Sequence, residues 1–550
     1  MKGSAMPVVE LLLLIAIVIV GCILCNRITD KIGVPMLLAF ILLGMIFGSD
    51  GLFKIQFDNF GFAEQICSIA LIFIMFYGGF GTKWSEAKPV AVKSILLSTA
   101  GVVLTAALVG AFCHFVLGFS WLEGLLLGAL LGSTDAASVF SILRSRQLNL
   151  KYGTASMLEV ESGSNDPCAY MLTVILLSMM GAGAEDVSVA SLIFSQLFFG
   201  LVCGVLIAGI AAAVLKRFEF ETEGFNAAFV VAVALLSYAL PSVLGGNGYL
   251  SAYLVGLLLG NSDIPDKKVL VHFFDGVTGL MQMLIFFLLG LLSSPSHIPA
   301  VVPVALLVAV FLTFVSRPLA VFLLLTPFKA KLNQQLLVSW AGLRGAASIV
   351  FAIMASISGI QTDNDIFHIV FFVVLFSILL QGTLLPVVSH KLNMVDANGN
   401  VFRTFTDYSD EDDVDFIRLT IQPNHPWTGQ PIKQLTLPPD CLLVMIIRNS
   451  ETLVPQGDTI ICAGDVIVLS ALSYRDERNI QLREVTVRPD NDWCGKQLKQ
   501  LRLPGGTLVV LVRRDGDSII PNGGTVVQEG DILVINHSRR EGQKAKKVTV

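Results

Sequence analysis

Charged side chains are scarce in this sequence. They make up only 14% of its 550 residues, whereas apolar residues make up 54%. The mean hydropathy is +0.74, and this composition excludes an ordinary soluble protein. The scarcity is uneven, because residues 1–393 hold 40 of the 79 charged side chains and residues 394–550 hold the other 39. The second part has the charge density of a globular domain, so the sequence predicts a membrane domain followed by a soluble one.

Other absences narrow the function. Before the extreme C-terminus no basic run is longer than two residues, and the net charge is −5, which argues against nucleic acid as a partner. The nine cysteines are odd in number and scattered, which favours packing residues in a reducing setting over a metal or disulfide site. Neither a P-loop nor a zinc-binding H-E-x-x-H motif is present, and both are signatures of other chemistry. We therefore expect neither an enzyme nor a resident cofactor.

The apolar runs predict a polytopic α-helical membrane protein. A helix needs roughly 20 residues to cross about 30 Å of hydrocarbon, and thirteen segments are candidates. Those beginning at residues 35 and 249 are short, which leaves a tilted or re-entrant segment open. The candidate spans are 8–25, 35–48, 62–79, 90–116, 122–143, 155–180, 188–215, 226–244, 249–261, 276–293, 299–325, 333–358 and 366–390.

Basic residues between the spans predict the topology. Alternate connections hold thirteen Lys or Arg residues, whereas the other connections and the N-terminal tail hold only Lys2 and Lys54. Because the basic side is cytoplasmic, we expect the N-terminus outside and a cytoplasmic tail, in the cell (plasma) membrane. Residues 19–22 resemble a lipoprotein cleavage box, but the segment before them has a single basic residue and is interrupted by Glu10. We therefore expect the first span to be retained.

Five charged residues lie deep inside predicted spans. A charge near the middle of the bilayer is costly unless it is paired or faces a cavity, so each is a functional candidate. They are Asp135, Glu161, Asp166, Arg317 and Arg344. The other charges of the spans lie near span ends, where long side chains reach the interface, and Glu159 is a borderline case.

The sixth span places oxygen atoms on neighbouring helix faces. Ser162 and Asp166 are four residues apart and share one face, and Glu161 and Asn165 share an adjacent face. Pro167 cannot donate a backbone hydrogen bond, so it frees a carbonyl one turn earlier. Carboxylate, hydroxyl and carbonyl oxygens together indicate a site for an alkali cation.

The fifth span has polar residues at its centre, with Ser-Thr-Asp at residues 133–135 and Ser138 after them. Such a segment is typical of an unwound, cavity-lining helix in a transporter. The alternative is that the hydroxyls bond to their own helix and Asp135 pairs with an arginine. That alternative does not readily explain both spans.

The two deep arginines provide counter-charges. Because an arginine stays protonated at physiological pH, Arg317 and Arg344 are predicted to be structural. We expect Glu161 to pair with Arg317, which leaves Asp166 without a permanent partner. Burial favours the neutral carboxyl and an arriving cation favours the carboxylate. Competition of a proton and a cation for Asp166 would couple the two ions without ATP.

At these residues the chain resembles a cation/proton antiporter of the NhaP and sodium/proton-exchanger type. The motifs are S-T-D-A-A-S-V (133–139), E-S-G-S-N-D-P (161–167), S-R-P-L (316–319) and G-L-R-G-A (342–346). The resemblance covers essentially all of the first 393 residues. It implies inverted repeats with broken, crossed helices, a homodimer in membrane lipid, and elevator-like alternating access.

The resemblance also implies residue roles at the ion site. Asp166 resembles the ion- and proton-binding aspartate of the family, and Asn165 resembles its neighbour. Ser162 and the Thr134 backbone resemble further ligands of the transported K+ or Na+, with Asp135 beside them.

Two further features follow from the same resemblance. Glu161 with Arg317 resembles a buried ion pair, and Arg344 resembles the arginine of the second crossed helix. Asparagine rather than a second acid before the aspartate implies one exchangeable charge and electroneutral one-for-one exchange.

The C-terminal region is an internal repeat. Moving residues 419–469 by 66 positions onto 485–535 gives a gapless match, in which Trp427 meets Trp493. Each copy has two β-rich runs with turn signals around them, so each is predicted to be a small α+β module. The predicted domains are a transmembrane domain at 1–393, an acidic linker at 394–416, a first lobe at 417–482 and a second lobe at 483–550.

Each copy resembles the RCK_C (TrkA-C) lobe of potassium-conductance regulators. The resemblance implies a lobe that dimerises or binds a small regulatory ligand, such as one of nucleotide type, and that regulates potassium transport. Arg448 and Arg514 would face an anionic ligand; the alternative is that they pair with local acids at strand ends. No G-x-G-x-x-G follows a strand in this region, so the nucleotide-binding half of a full regulator is not predicted.

Three functions compete. The favoured one is an antiporter that exchanges potassium, or sodium, for protons under control of the tail, and the potassium-type tail favours potassium. A potassium channel would need a T-V-G-Y-G filter, for which residues 246–249 are a poor substitute. A non-transporting ion sensor is the third, and Ser162, Asn165 and Asp166 together argue against it.

Overall fold

A computed structural model of the chain describes residues 13, 16–24, 35–55, 57, 59–145, 148–181, 188–218, 223–293, 298–396, 414–423, 425–435, 437, 441–448, 451–472, 482–487, 493–501, 507–514, 517–519 and 521–537. The chain divides into two compact units, Met1–Ser409 and Asp410–Val550. Most of the predicted acidic linker, the N-terminal tail with Lys2 and Glu10, and the end of the second lobe lie outside the described residues.

Helices form the membrane unit, and helical residues coincide with each of the thirteen predicted spans. They are α1 (16–24), α2 (Met36–Phe47), α3 (Phe60–Gly81), α4 (Ala91–Leu117), α5 (Trp121–Leu130), α6 (Ala136–Ser145), α7 (Thr154–Met179), α8 (Val189–Arg217), α9 (Glu223–Val243), α10 (Gly248–Gly260), α11 (Lys267–Leu292), α12 (298–328), α13 (Leu332–Trp340), α14 (Ala346–Ile357) and α15 (Ile366–Lys391). A short helical turn at Trp84–Ala87 precedes α4.

Seven of the described helices are long and apolar enough to cross a membrane, namely α3, α4, α8, α9, α11, α12 and α15. Four more are apolar but short: α2, α5, α10 and α14. The protein is therefore a multi-pass membrane protein, while the count of thirteen spans stays a prediction. Two of the six other predicted spans, the fifth and the twelfth, are each divided into two short helices.

The two divided spans break in the middle. Residues 131–135 separate α5 from α6, and residues 341–345 separate α13 from α14. The breaks are joined by a hydrogen bond from the Asp135 amide to the Leu343 carbonyl at 2.8 Å. A Cβ added to Gly345 would overlap the Asp135 carboxylate, so glycine at this position permits the crossing.

The helix of the tenth predicted span begins before that span. The sequence predicts a tenth span that begins at residue 276, but α11 begins at Lys267, which places Asp275 within a helix. The Tyr77 hydroxyl of α3 donates to Asp275 Oδ1 at 3.2 Å. Asp266, at the preceding position, adopts a left-handed backbone with φ 52°, and its side chain does not cap the helix.

The tail contains two four-stranded antiparallel sheets with the same order. The first has the order β1-β4-β2-β3 and the second has the order β5-β8-β6-β7. The strands are β1 (Val414–Thr420), β2 (Leu442–Arg448), β3 (Glu451–Leu453), β4 (Val466–Leu472), β5 (Leu482–Thr486), β6 (Thr507–Arg514), β7 (Asp517–Ile519) and β8 (Ile532–His537). The helical part within the described tail residues is one 3-10 turn per lobe, at Ile432–Gln434 and Leu498–Gln500.

Each sheet covers its own small core. Ile446 and Ile467 are fully buried in the first lobe, beside the partly buried Trp427. Val512 and Leu533 take the same places in the second lobe, beside Trp493. The repeat seen in the sequence therefore corresponds to two copies of one packing arrangement.

Candidate ion-binding site

The first break packs against the middle of α7. The Ser133 hydroxyl donates to Asp166 Oδ1. The Thr134 hydroxyl lies 2.8 Å from Ser162 Oγ, and Asn165 Nδ2 donates to Thr134 Oγ1 at 2.5 Å. All five side chains are at most 5% exposed. The structure thus brings together four predicted site residues, Thr134, Ser162, Asn165 and Asp166, in one buried polar cluster.

This cluster contains an oxygen atom that can accept a further interaction. Among the described residues, Asn165 Oδ1 is buried and receives no hydrogen bond. A buried acceptor without a donor is costly, and a cation would satisfy it. Carboxylate, amide and hydroxyl oxygens converge here within one turn of α7, which is the ligand chemistry of a hard monovalent cation.

Asp135 caps helix α6. Its carboxylate accepts hydrogen bonds from the Ser138 amide at 3.1 Å and from the Ser138 hydroxyl at 2.5 Å. An aspartate at this position satisfies amides that a helix N-terminus otherwise leaves unpaired. The carboxylate predicted to lie beside the ion is therefore used in part to begin the second half of the broken span.

Glu161 and Arg317 lie together. Arg317 Nη2 is 2.5 Å from Glu161 Oε1. The arginine side chain is 5% exposed and the glutamate side chain is 1% exposed. Arg317 directly follows a π-helical turn at Leu312–Ser316, a feature that often occurs at functional sites. A Cβ on Gly342 would come within 2.8 Å of Arg317 Nε, so this glycine leaves room for the guanidinium.

Arg344 connects the two breaks. Its Nη1 donates to the Ser133 carbonyl at 2.8 Å, and its backbone amide donates to Ser377 Oγ at 3.0 Å. The side chain is 1% exposed. Carbonyl groups at the C-terminal ends of α5 and α13 carry partial negative charge, and the N-terminal ends of α6 and α14 carry partial positive charge. A fixed cation at this crossing balances the exposed carbonyls.

The sequence underestimates two residues near the site. Ser133 lies in the S-T-D-A-A-S-V motif, but the sequence assigns it no role of its own. In the structure its hydroxyl contacts Asp166. Glu159, a borderline case by its position in the span, is 4% exposed and accepts a hydrogen bond from the Thr82 hydroxyl at 3.2 Å. The sequence could have indicated them, because polar groups in an unwound transmembrane segment need hydrogen-bond partners.

The tail arginines form local ion pairs. Arg448 Nε and Nη2 donate to the two carboxylate oxygens of Asp465 at 2.8 and 2.7 Å. Arg514 does the same with Asp531, at 2.8 Å for both bonds. Hydrogen bonds from the guanidinium hold the pKa of Asp465 below its ordinary value. This geometry favours the alternative in which the arginines pair with local acids, and their role as ligand residues stays a prediction.

No group of three or more His, Cys, Asp and Glu side chains suited to a metal ion occurs within the described ranges. One carboxylate with neutral oxygens, as found around Asp166, does not form a cluster of that kind.

Comparisons with known proteins agree along almost the whole chain. The family model described as sodium/hydrogen exchanger, transmembrane, matches residues 13–391. The TrkA-C domain model matches residues 416–473 and 482–547. The K(+)/H(+) antiporter NhaP2 of Shewanella sp. (strain MR-4) is 33% identical over 451 residues, covering 81% of this chain and 78% of that protein.

More distant relatives point the same way. The Na(+)/H(+) antiporter ApNhaP of Aphanothece halophytica is 26% identical over 349 residues, covering 60% of this chain and 65% of that protein. The solved structure of the sodium proton antiporter MjNhaP1 from Methanocaldococcus jannaschii at pH 8 gives a TM-score of 0.61 at 25% identity, covering 68% of this chain and 99% of that chain. The chain belongs to the sodium/hydrogen exchanger family, and it is an NhaP-type cation/proton antiporter, a secondary transporter rather than an enzyme, with a tandem TrkA-C tail.

Proposed function

We propose that this antiporter exchanges one monovalent cation, potassium in preference to sodium, for one proton at Asp166. The observation that carries the proposal is that two buried acids of α7 differ in their partners. Glu161 lies against Arg317, whereas Asp166 accepts a hydrogen bond from a neutral hydroxyl and, within the described residues, makes no ion pair. A carboxylate without a fixed counter-charge is free to accept either ion.

The residues around Asp166 would have two kinds of role, as ion ligands and as structural supports. Asn165, Ser162 and Thr134 would supply oxygen ligands next to Asp166, with Asp135 holding the break that presents them. A single carboxylate would bind either one cation or one proton. One positive charge would therefore cross the membrane in each direction per cycle, and the exchange would be electroneutral. Glu161, Arg317 and Arg344 keep their charges and would be structural.

Potassium is favoured by two lines of support. The relatives called K(+)/H(+) antiporters are 33% identical over more than four-fifths of this chain, whereas the one called a Na(+)/H(+) antiporter is 26% identical over 60% of it. The TrkA-C lobes resemble those of potassium-conductance regulators. We place this protein in the plasma membrane as a homodimer, with its N-terminus outside and the lobes at 417–482 and 483–550 in the cytoplasm.

Everted vesicles with a trapped pH dye test the exchange. Adding potassium should collapse an imposed pH gradient in wild-type vesicles, and Asp166→Asn should abolish the response. Asp263→Asn is the matched control, since Asp263 is exposed in the loop before α11 and the change should leave the flux at the wild-type level. A cation flux without proton movement would indicate the channel, and no flux at all would indicate the sensor.

We also propose that the tail regulates transport through the segment that leaves α15. Leu150 and Val395 form an antiparallel β-bridge, and the Lys151 amide donates to the Met394 carbonyl at 2.9 Å. Helix α7, which carries Asp166, begins at Thr154. A displacement of the segment that connects to the tail would therefore act on the start of α7.

Breaking that bridge tests the connection. The Asp396 amide donates to the Asn149 carbonyl at 2.9 Å, and proline at this position has no amide hydrogen. Asp396→Pro should change the pH profile of exchange in the same way as truncation after residue 396, whereas Asp396→Ala should not. If truncation changes the profile and Asp396→Pro does not, regulation takes another path.

A further inference from the structure

We propose that Ser133 is a specificity-determining residue of the transport site, whose hydroxyl sets the preference of Asp166 for a cation over a proton. The inference rests on the proposed exchange at Asp166 and adds a residue to it. It is carried by two contacts of Ser133, one through its side chain and one through its backbone.

Both contacts are buried. Ser133 is 1% exposed, and its hydroxyl donates to Asp166 Oδ1. Its carbonyl accepts a hydrogen bond of 2.8 Å from Arg344 Nη1. Arg344 lies in the opposite break and is itself 1% exposed. The permanent charge of one broken helix therefore holds the backbone from which the hydroxyl reaches the exchanging carboxylate.

The neighbouring residues fix the same segment. The Thr134 hydroxyl accepts from Asn165 Nδ2 at 2.5 Å, and the Asp135 amide donates to the Leu343 carbonyl at 2.8 Å. These bonds hold the backbone of the segment beside α7. In the rotamer that the structure shows, the Ser133 oxygen lies beside Asp166, and its hydrogen can turn away by rotation about the Cβ–Oγ bond.

A hydroxyl has one donor and two acceptor positions, which suits each state of the cycle. In the structure it donates to Asp166 Oδ1, a bond that suits the ionised carboxylate. It can accept from Asp166 when that residue is protonated. When a cation is bound to Asp166, the same oxygen can turn a lone pair toward the ion.

The consequence follows from comparing the two loaded states, because the empty state cancels in an exchange. Removing the hydroxyl costs the cation-loaded state an interaction with an ion, and it costs the proton-loaded state a neutral hydrogen bond. Interactions with charged groups are about twice as strong as neutral ones. Loss of the hydroxyl should therefore disfavour the cation relative to the proton.

The test measures potassium-driven proton flux in proteoliposomes of the full chain at several pH values. Ser133→Ala should raise the apparent KM for potassium by roughly three- to tenfold at a fixed pH and shift half-maximal activity to higher pH. Ser133→Thr keeps a hydroxyl and should remain near wild type. Ser133→Cys keeps the volume but replaces the hydroxyl by a poor donor, so it should resemble the alanine variant.

A matched control and a separate failure criterion complete the test. Ser164→Ala removes a hydroxyl that donates to the Val160 carbonyl of its own helix at 2.5 Å, and it should match wild type. The inference is overturned if Ser133→Ala has a wild-type KM and pH profile, or if Ser133→Thr is as impaired as alanine. If Asp166→Asn still exchanges ions, the proposed function fails instead; if it does not and Ser133→Ala is unchanged, the Ser133 inference alone fails.

Discussion

Replacing Arg317 by glutamine should destabilise the membrane unit by about 3–5 kcal/mol, the usual cost of removing one partner from a buried ion pair. Arg317 Nη2 lies 2.5 Å from Glu161 Oε1, with side chains 5% and 1% exposed. Neither Glu161 oxygen receives any other hydrogen bond within the described part of the chain. The variant would therefore leave the Glu161 carboxylate buried without its ion-pair partner.

Thermal unfolding of the purified full chain in detergent measures the effect, and a double-mutant cycle assigns it. Glu161→Gln combined with Arg317→Gln removes both charges, so most of the lost stability should return, with a coupling of about 2 kcal/mol or more. The double variant should also keep cation-dependent proton exchange, because we propose that the pair is structural.

The exposed pair Lys433–Asp458 provides the control. Its side chains are 60% and 85% exposed, and exposed pairs contribute about 0–1 kcal/mol, so Lys433→Gln should leave unfolding nearly unchanged. The reasoning is refuted if Arg317→Gln is as stable as wild type, or if the double variant is no more stable than the single one.

Two further predictions concern the crossing and the tail. Gly345→Ala would force a Cβ into the Asp135 carboxylate, and it should cost about 1–3 kcal/mol of stability and most of the exchange activity. Gly276→Ala, with open space around it, should be tolerated. Equal thermal unfolding of the two variants would contradict this prediction. Because hydrogen bonds from Arg448 lower the pKa of Asp465 from 3.8, the pair stabilises the first lobe fully above about pH 4 and is lost as the pH falls through the lowered value. Arg448→Ala should cost about 2 kcal/mol at neutral pH and reduce that acid dependence, as limited proteolysis of the tail in the full chain would show.

The features that depend on local periodicity were accessible from the sequence. Ser162 and Asp166 are four residues apart on a helix, so their proximity follows from helical geometry. The repeat offset of 66 residues relates Glu451–Leu453 to Asp517–Ile519, which the structure forms as equivalent strands. Family membership is likewise predicted from short motifs and is confirmed by matches along the chain.

The features that depend on long-range packing were not accessible. Ser133 and Arg344 are 211 residues apart, and only the crossing of two broken helices brings the guanidinium to that carbonyl. The sequence indicates that both breaks are polar, but it contains no information on which of three adjacent polar residues meets Asp166. Asp275 falls outside the predicted span because the charged residues before it resemble a loop.

The most direct test of the account is proton release on cation binding. Purified full chain in weak buffer, titrated with potassium chloride against a pH indicator, should release about one proton per bound cation, and Asp166→Asn should release none. Potassium binding without proton release in the wild-type protein, or unchanged release from Asp166→Asn, would contradict competition of the two ions for a single carboxylate.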